Sequence, residues 1–265
     1  MRPSPFTCLL ASCWLWTSLP AVAQPDSLVV ANLSLPASVW PGQREAVIEL
    51  LGHAGVDVVL IQQVRSHDRQ APEICNLAVP LQMHCDFVSA DPPSLATRQG
   101  LAMLSRRPIV EDGASLLHGE DGSAPVAAGY WRLQIGTQAI NLYSASLASG
   151  QRLQQRRQRQ ASDLRDWMAS HDPALANVVV ARFGSRHAEL LQLMPGLGTA
   201  RKSLGPEQAH GLDVLYPPER LRLKASTVLE LHGPAPPGDD PANTPAAQPP
   251  QMLGIVVELE LPAAP

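Results

Sequence analysis

The chain has 265 residues, 45% of them hydrophobic, and carries 20 Lys and Arg against 24 Asp and Glu, for a formal net charge of −4. A chain of this length and composition builds one large core without needing a staple to hold it. Its charge excludes a global basic footprint for nucleic acid or an anionic membrane.

Residues 1–23 read as a secretory signal peptide: Arg2 supplies the positive end, residues 6–19 the apolar stretch, and Ala21-Val22-Ala23 an A-x-A cleavage site before Gln24. The apolar run falls short of the ~20 residues that span a bilayer. Cleavage after Ala23 predicts a periplasmic or secreted protein and removes Arg2, Cys8 and Cys13. Leu10-Ala11-Ser12-Cys13 also fits a lipoprotein box, but the apolar region before it is very short. The mature chain keeps Cys75 and Cys85, a pair that an oxidising compartment favours as a disulfide over two buried thiols. Two lone cysteines without histidines at ligand spacing do not make a zinc site.

Residues 27–33 form the first predicted strand, and Pro41-Gly42 opens a helix over 43–51. Val58-Val59-Leu60-Ile61 is an unbroken apolar run suited to a strand buried on both faces and ending at Gln63. Helix is expected over 71–84, limited by Pro80, then a short strand over 86–90 and a loop at 91–94. Residues 100–105 form a strand, and 111–125 a loop or edge hairpin. Residues 127–135 and 138–143 alternate around Gly136-Thr137, a hairpin signal. The longest helix covers 151–169. Strands follow over 178–180, 212–216, 223–229 and 253–261, with a flexible Pro-rich insertion at 233–250. Many strands separated by a few helices argue for two packed sheets with helices outside.

Several of these segments carry motifs. Gly100-Leu101-Ala102-Met103-Leu104-Ser105-Arg106-Arg107-Pro108-Ile109 resembles the "G-x-A-I-L-S-R-x-P-I" of the endonuclease/exonuclease/phosphatase family, the deoxyribonuclease-like fold. Ala31-Asn32-Leu33 resembles its first strand, residues 57–64 its "D-V-V-x-L-Q-E-V", Arg157 and Gln160 its "R-x-x-Q" helix, and Gly211-Leu212-Asp213-Val214-Leu215 its "R-I-D-Y-I". Order and spacing agree from residue 28 to 261. The resemblance implies an α/β (α+β) fold, a four-layer αββα sandwich of two packed mixed β-sheets, in one domain over 24–265.

The family's chemistry is magnesium-dependent phosphoester cleavage, which needs hard carboxylate ligands and a histidine. At the matching positions, the metal-binding glutamate is Gln63 and the strand histidine is Ser146. The "G-D-x-N" aspartate and asparagine are Arg182 and Gly184, and the terminal "S-D-H" falls on Pro250-Gln251-Met252. Asn32 and Asp213 survive. Gln63 offers a neutral oxygen only. Arg182 places a permanent cation where a ligand is expected; at ~4 Å and an effective dielectric near 20 a unit-charge contact is worth ~4 kcal/mol, here repulsive to the metal. None of the eight histidines pairs with a second histidine or a carboxylate at clear metal-ligand spacing, and none is indicated as a base for Ser146 as nucleophile.

The resulting expectation is an exported pseudoenzyme acting as a binding or interaction module, with no catalytic set intact, no metal and no cofactor. Arg182, Asn32 and Asp213 are the expected binding residues, for an anionic or phosphate-bearing ligand, with a protein partner also open. Arg182 either holds an anion or pairs internally with Asp213. The alternatives are an active magnesium-dependent phosphodiesterase, nuclease or phosphatase with an atypical site, and a structural accessory protein with a silent pocket. Arg152, Arg156 and Arg159 share one helix face; they read as a solvated face more readily than as a phosphate contact.

Overall fold

A computed structural model of the protein describes residues 26–35, 40–68, 70–119, 125–184, 187–204, 211–231 and 251–262. The expected leader at 1–23 and the insertion at 233–250 lie outside the described residues. Two six-stranded mixed sheets pack face to face. The first has the order β11-β12-β1-β2-β4-β3, built from Arg222–Leu231, Gln251–Glu260, Ser27–Leu33, Val58–His67, Thr97–Ser105 and His84–Ser89. The second has the order β5-β6-β7-β8-β10-β9, from Ile109–Leu117, Val126–Ile135, Gln138–Ser146, Ala176–Arg182, Leu212–Tyr216 and Gly198–Thr199. Each sheet has one parallel pair near its centre, β1 with β2 and β7 with β8, and a helical crossover joins each pair. The four-layer expectation holds.

The hydrophobic pattern explains the layering. Leu28 and Val30 of β1, Val58 and Leu60 of β2, Leu142 of β7 and Val178 and Val180 of β8 fill the space between the sheets. The alternate residues Ala31, Leu33, Val59 and Ile61 face α1 (Trp40–His53) and α2 (Ala78–Leu81). Tyr143, Val179 and Ala181 face α3 (Gln154–Ala169) and α4 (His187–Leu193). A central strand thus buries both faces, which is why its sequence reads as a run rather than an alternation. On α3 the buried residues Arg157, Gln160, Ala161, Leu164 and Met168 recur at three- and four-residue spacing, one stripe of a 3.6-residue helix.

Three boundaries depart from the sequence expectation. The strand expected to end at Gln63 passes through a bulge there and continues to His67. Residues 71–84 hold only a short 3-10 turn, Glu73–Leu77, and the four-residue α2, because Gln82 adopts φ 55° and His84 already belongs to β3. Of the loop or edge hairpin expected from 111, the structure has the hairpin: edge strand β5 pairs with β6 through Leu117. The loop after β8 contains α4, which sequence periodicity did not reveal. Cys75 and Cys85 are disulfide-bonded and tie the 3-10 turn to β3.

Candidate functional site

The C-terminal ends of β1, β7 and β8 and the mid-strand bulge of β2 meet the N-terminal ends of β10 and β12 at one rim of the sandwich. Asn32, fully buried, crosses from the first sheet to the second: its Nδ2 donates to the carbonyls of Ala181 (2.9 Å) and Asp213 (3.0 Å). Its Oδ1 is buried and has no hydrogen-bond partner. Asn32 therefore bonds strand-end backbone across the two sheets.

The bulge in β2 controls the next two side chains. Ile61 pairs with Ala102 and Val64 with Gly100, so Gln62 and Gln63 together oppose Leu101. Gln63 takes φ 59°, a left-handed conformation that costs a non-glycine residue free energy. On a regular strand consecutive side chains point to opposite faces. Here both reach the second sheet: Gln62 donates from Nε2 to Ser144 Oγ (3.0 Å), and Gln63 Oε1 accepts from Arg182 Nη1 (2.8 Å). Ser146 lies beside Arg182 in the β7–β8 register. No histidine ring among the described residues bonds to Ser146. Gly184 follows with φ 53°, and a Cβ there would collide with the Ser149 side chain at 2.5 Å. Gln251 and Met252 open β12, and Met252 packs against the inter-sheet core.

Asp213 has a different partner from the one expected. The β8–β10 register sets Arg182 opposite Leu212 and Asp213 opposite Ala181, so Arg182 and Asp213 belong to alternate faces of their strands. Asp213, fully buried, accepts from Thr199 Oγ1 (2.6 Å) and from the backbone nitrogens of Val214 (2.8 Å) and Arg201 (3.2 Å). The Arg201 guanidinium lies 3.7 Å away and also donates to the Leu212 carbonyl. Burial pushes the Asp213 carboxyl above the usual carboxylate range, while the Thr199 hydroxyl and Arg201 pull it back. Thr199 and Arg201 carried no sequence signal; they sit in a short two-residue strand and the 3-10 turn after it. Arg157 and Gln160, matched to the helix motif, serve the rim indirectly. Arg157 donates to the Ala148 and Gly150 carbonyls and pairs with Glu189 on α4, while Gln160 accepts from Ala148 N. They latch the loop that follows Ser146.

Between the sheets, above Ser146, opens a cleft of about 290 Å³ lined by Gln62, Gln63, Gln99, Asp91 and Ser146 with apolar residues including Leu101 and Val126. A larger surface groove of about 620 Å³ lies by Arg106, Arg107 and Asp86, away from these residues.

A sequence model described as the Endonuclease/Exonuclease/phosphatase family matches residues 32–181. The chain belongs to this family. No curated protein matches the chain. Solved structures share its fold. An endonuclease/exonuclease/phosphatase family protein from Bacteroides thetaiotaomicron superposes with a TM-score of 0.68 at 13% identity, covering 90% of this chain and 99% of that one. The human Nocturnin catalytic domain, solved with a bound sulfate anion, gives 0.67 at 14%, covering 89% and 94%. The mannosyl-6-phosphatase of B. thetaiotaomicron gives 0.64 at 12%, covering 88% and 99%.

The resemblance implies a magnesium ion, so the donors at this rim can be tested for it. Among the described residues no three His, Cys, Asp or Glu side chains come together to hold a metal. Of the functional positions carried over from the family only Asp213 holds a carboxylate; it is fully buried and already engaged, and Gln63 Oε1 accepts from a guanidinium that would repel a divalent cation. This donor set does not fit magnesium.

Proposed function

We propose that this family member is an exported pseudoenzyme whose rim cleft binds a ligand without turning it over. The observation that carries the reading is the Arg182–Gln63 hydrogen bond. It joins the two positions where the family pattern has an aspartate and a glutamate, and it fills that space with a fixed cation and a neutral amide. A guanidinium supplies charge and a donor fork, but it neither activates water nor moves a proton at neutral pH. Ser146 in place of the strand histidine supports the same reading, since no histidine ring among the described residues bonds to it. Export is supported by the A-x-A site before Gln24, and the Cys75–Cys85 bond suits an oxidising compartment.

The test is a turnover assay on highly purified mature protein with DNA, RNA and a phosphomonoester, each with magnesium or manganese. A calorimetric titration with each metal alone runs beside it. The expected outcome is no product and no metal-binding heat. Magnesium-dependent turnover that is changed by Gln63→Ala, at an exposed rim position, would refute the reading.

A further inference from the structure

Resting on the proposal that the cleft binds without turnover, we infer that its ligand is an uncharged, hydroxyl-rich molecule, of which a sugar ring is the simplest, and not a phosphate. Three features of the cleft lead there. The first is charge. Among the described lining residues there is no cationic side chain, and Asp91 is the one ionisable group. Arg182 stands behind Gln63 and is not part of the lining. A phosphate would enter facing a carboxylate and neutral amides, with no charge to replace its hydration.

The second is a set of neutral and acceptor groups on side chains that are not buried: Gln63, Asp91, Gln99 and Ser146. A hydroxyl suits such a set because it both donates and accepts. Asp91 Oδ2 accepts from the Gln99 backbone nitrogen at 2.6 Å, which fixes the carboxylate so that Oδ1 can accept from a ligand hydroxyl. Among the described residues the Gln99 amide and the Ser146 hydroxyl have no side-chain hydrogen-bond partner, and they add both donors and acceptors.

The third is shape and polarity. Leu101 and Val126 put an apolar surface next to these groups. A ring with hydroxyls around its edge and C–H groups on its face satisfies both kinds of wall. A volume of about 290 Å³ suits one such ring with a substituent. A phosphate ion offers no C–H face, and an amphipathic chain offers too few donors.

The experiment uses the mature protein and a panel of neutral methyl glycosides and short neutral oligosaccharides, beside inorganic phosphate and glucose 6-phosphate. Binding is followed by thermal shift and calorimetry, and phosphate release is measured in the same samples. At least one neutral glycan is expected to bind. Gln99→Ala and Asp91→Asn, neither at a buried position, should each weaken it about tenfold, the loss of one good hydrogen bond. Arg182→Ala should leave it within about twofold. Binding confined to phosphate or the phosphosugar, lost in Arg182→Ala, overturns the inference, as does a panel in which no neutral glycan binds. In both cases the absence of phosphate release leaves the non-catalytic reading standing. Phosphate release from glucose 6-phosphate instead overturns that reading, and this inference with it.

Discussion

The pairing of Asp213 with Arg201 makes a quantitative prediction. At 3.7 Å, with an effective dielectric near 20, a unit-charge pair is worth at most about 4.5 kcal/mol before desolvation is subtracted. Both groups are buried, Asp213 at 0% and Arg201 at 6% exposure, so removing Arg201 takes the guanidinium from beside a buried carboxylate. Arg201→Met, which keeps much of the volume, should therefore destabilise by about 3–5 kcal/mol. At 2–4 °C per kcal/mol for a chain of this size, that lowers Tm by roughly 10 °C. Asp213→Asn should cost a comparable amount, and the double variant far less than the sum. Urea unfolding of the four proteins should give a coupling energy of at least ~2 kcal/mol. The same cycle on Arg182 and Asp213, on alternate faces, should give coupling within ~0.5 kcal/mol of zero. Small coupling in the first cycle and large coupling in the second would refute the assignment. Protonation gives an independent reading. Because burial raises the Asp213 pKa, the folded state holds its proton more tightly than the unfolded state. Asp213 therefore favours folding most below the ordinary value of 3.8, and that contribution is lost as pH rises from there through the folded pKa. The stability of wild type relative to Asp213→Asn should fall across that window and then level off.

Gln63→Glu should convert the Arg182 hydrogen bond into a half-exposed ion pair and raise stability by less than ~1 kcal/mol, read by urea unfolding, with no metal-dependent activity restored because Ser146 and Met252 remain. Gly100→Ala should destabilise by about 1–3 kcal/mol by thermal melt, since its Cβ would strike the Val88 carbonyl oxygen across the β3–β4 pair. Losing the Cys75–Cys85 bond, which spans a sequence separation of 10, should cost up to ~3 kcal/mol, with non-reducing peptide mapping as the check on the bond itself. Intact mass of exported protein should begin at Gln24; a lipidated Cys13 would contradict it.

Much of the fold was legible because its central strands are buried on both sides. Val58 to Ile61 and Val178 to Val180 could not be anything that faces water, and Gly136-Thr137 marked its hairpin without ambiguity. The motif around Gly100 was legible for a steric reason: only glycine fits against the Val88 carbonyl. The site was legible as positions but not as contacts. Placing Arg182 and Asp213 near one rim said nothing of which face each side chain takes, and strand register decides that. Thr199 and Arg201 act through a two-residue strand with no periodicity to detect. The bulge at Gln62-Gln63 was hidden because its signature is a left-handed glutamine rather than a glycine.

Separation of rim from core explains how the family fold persists with such different side chains at its matched positions. The inter-sheet cluster draws residues from most strands of both sheets, β1, β2, β7 and β8 among them, and none of Gln63, Ser146, Arg182 or Gly184 belongs to it. Substitution at those positions removes no buried apolar area, so the large favourable term in folding is untouched. What changes is the polar balance at the strand ends, and there the described contacts close locally. Arg182 finds Gln63 within its own rim, Asp213 finds Arg201 and Thr199 beneath it, and Asn32 finds two carbonyls across the sheets. Met252 goes further and joins the apolar packing. The exceptions to this closure are the side-chain carbonyls of Asn32 and Gln62, on neighbouring strands, both buried and without a hydrogen-bond partner, so the polar balance at the strand ends is met less completely than the apolar packing beneath it.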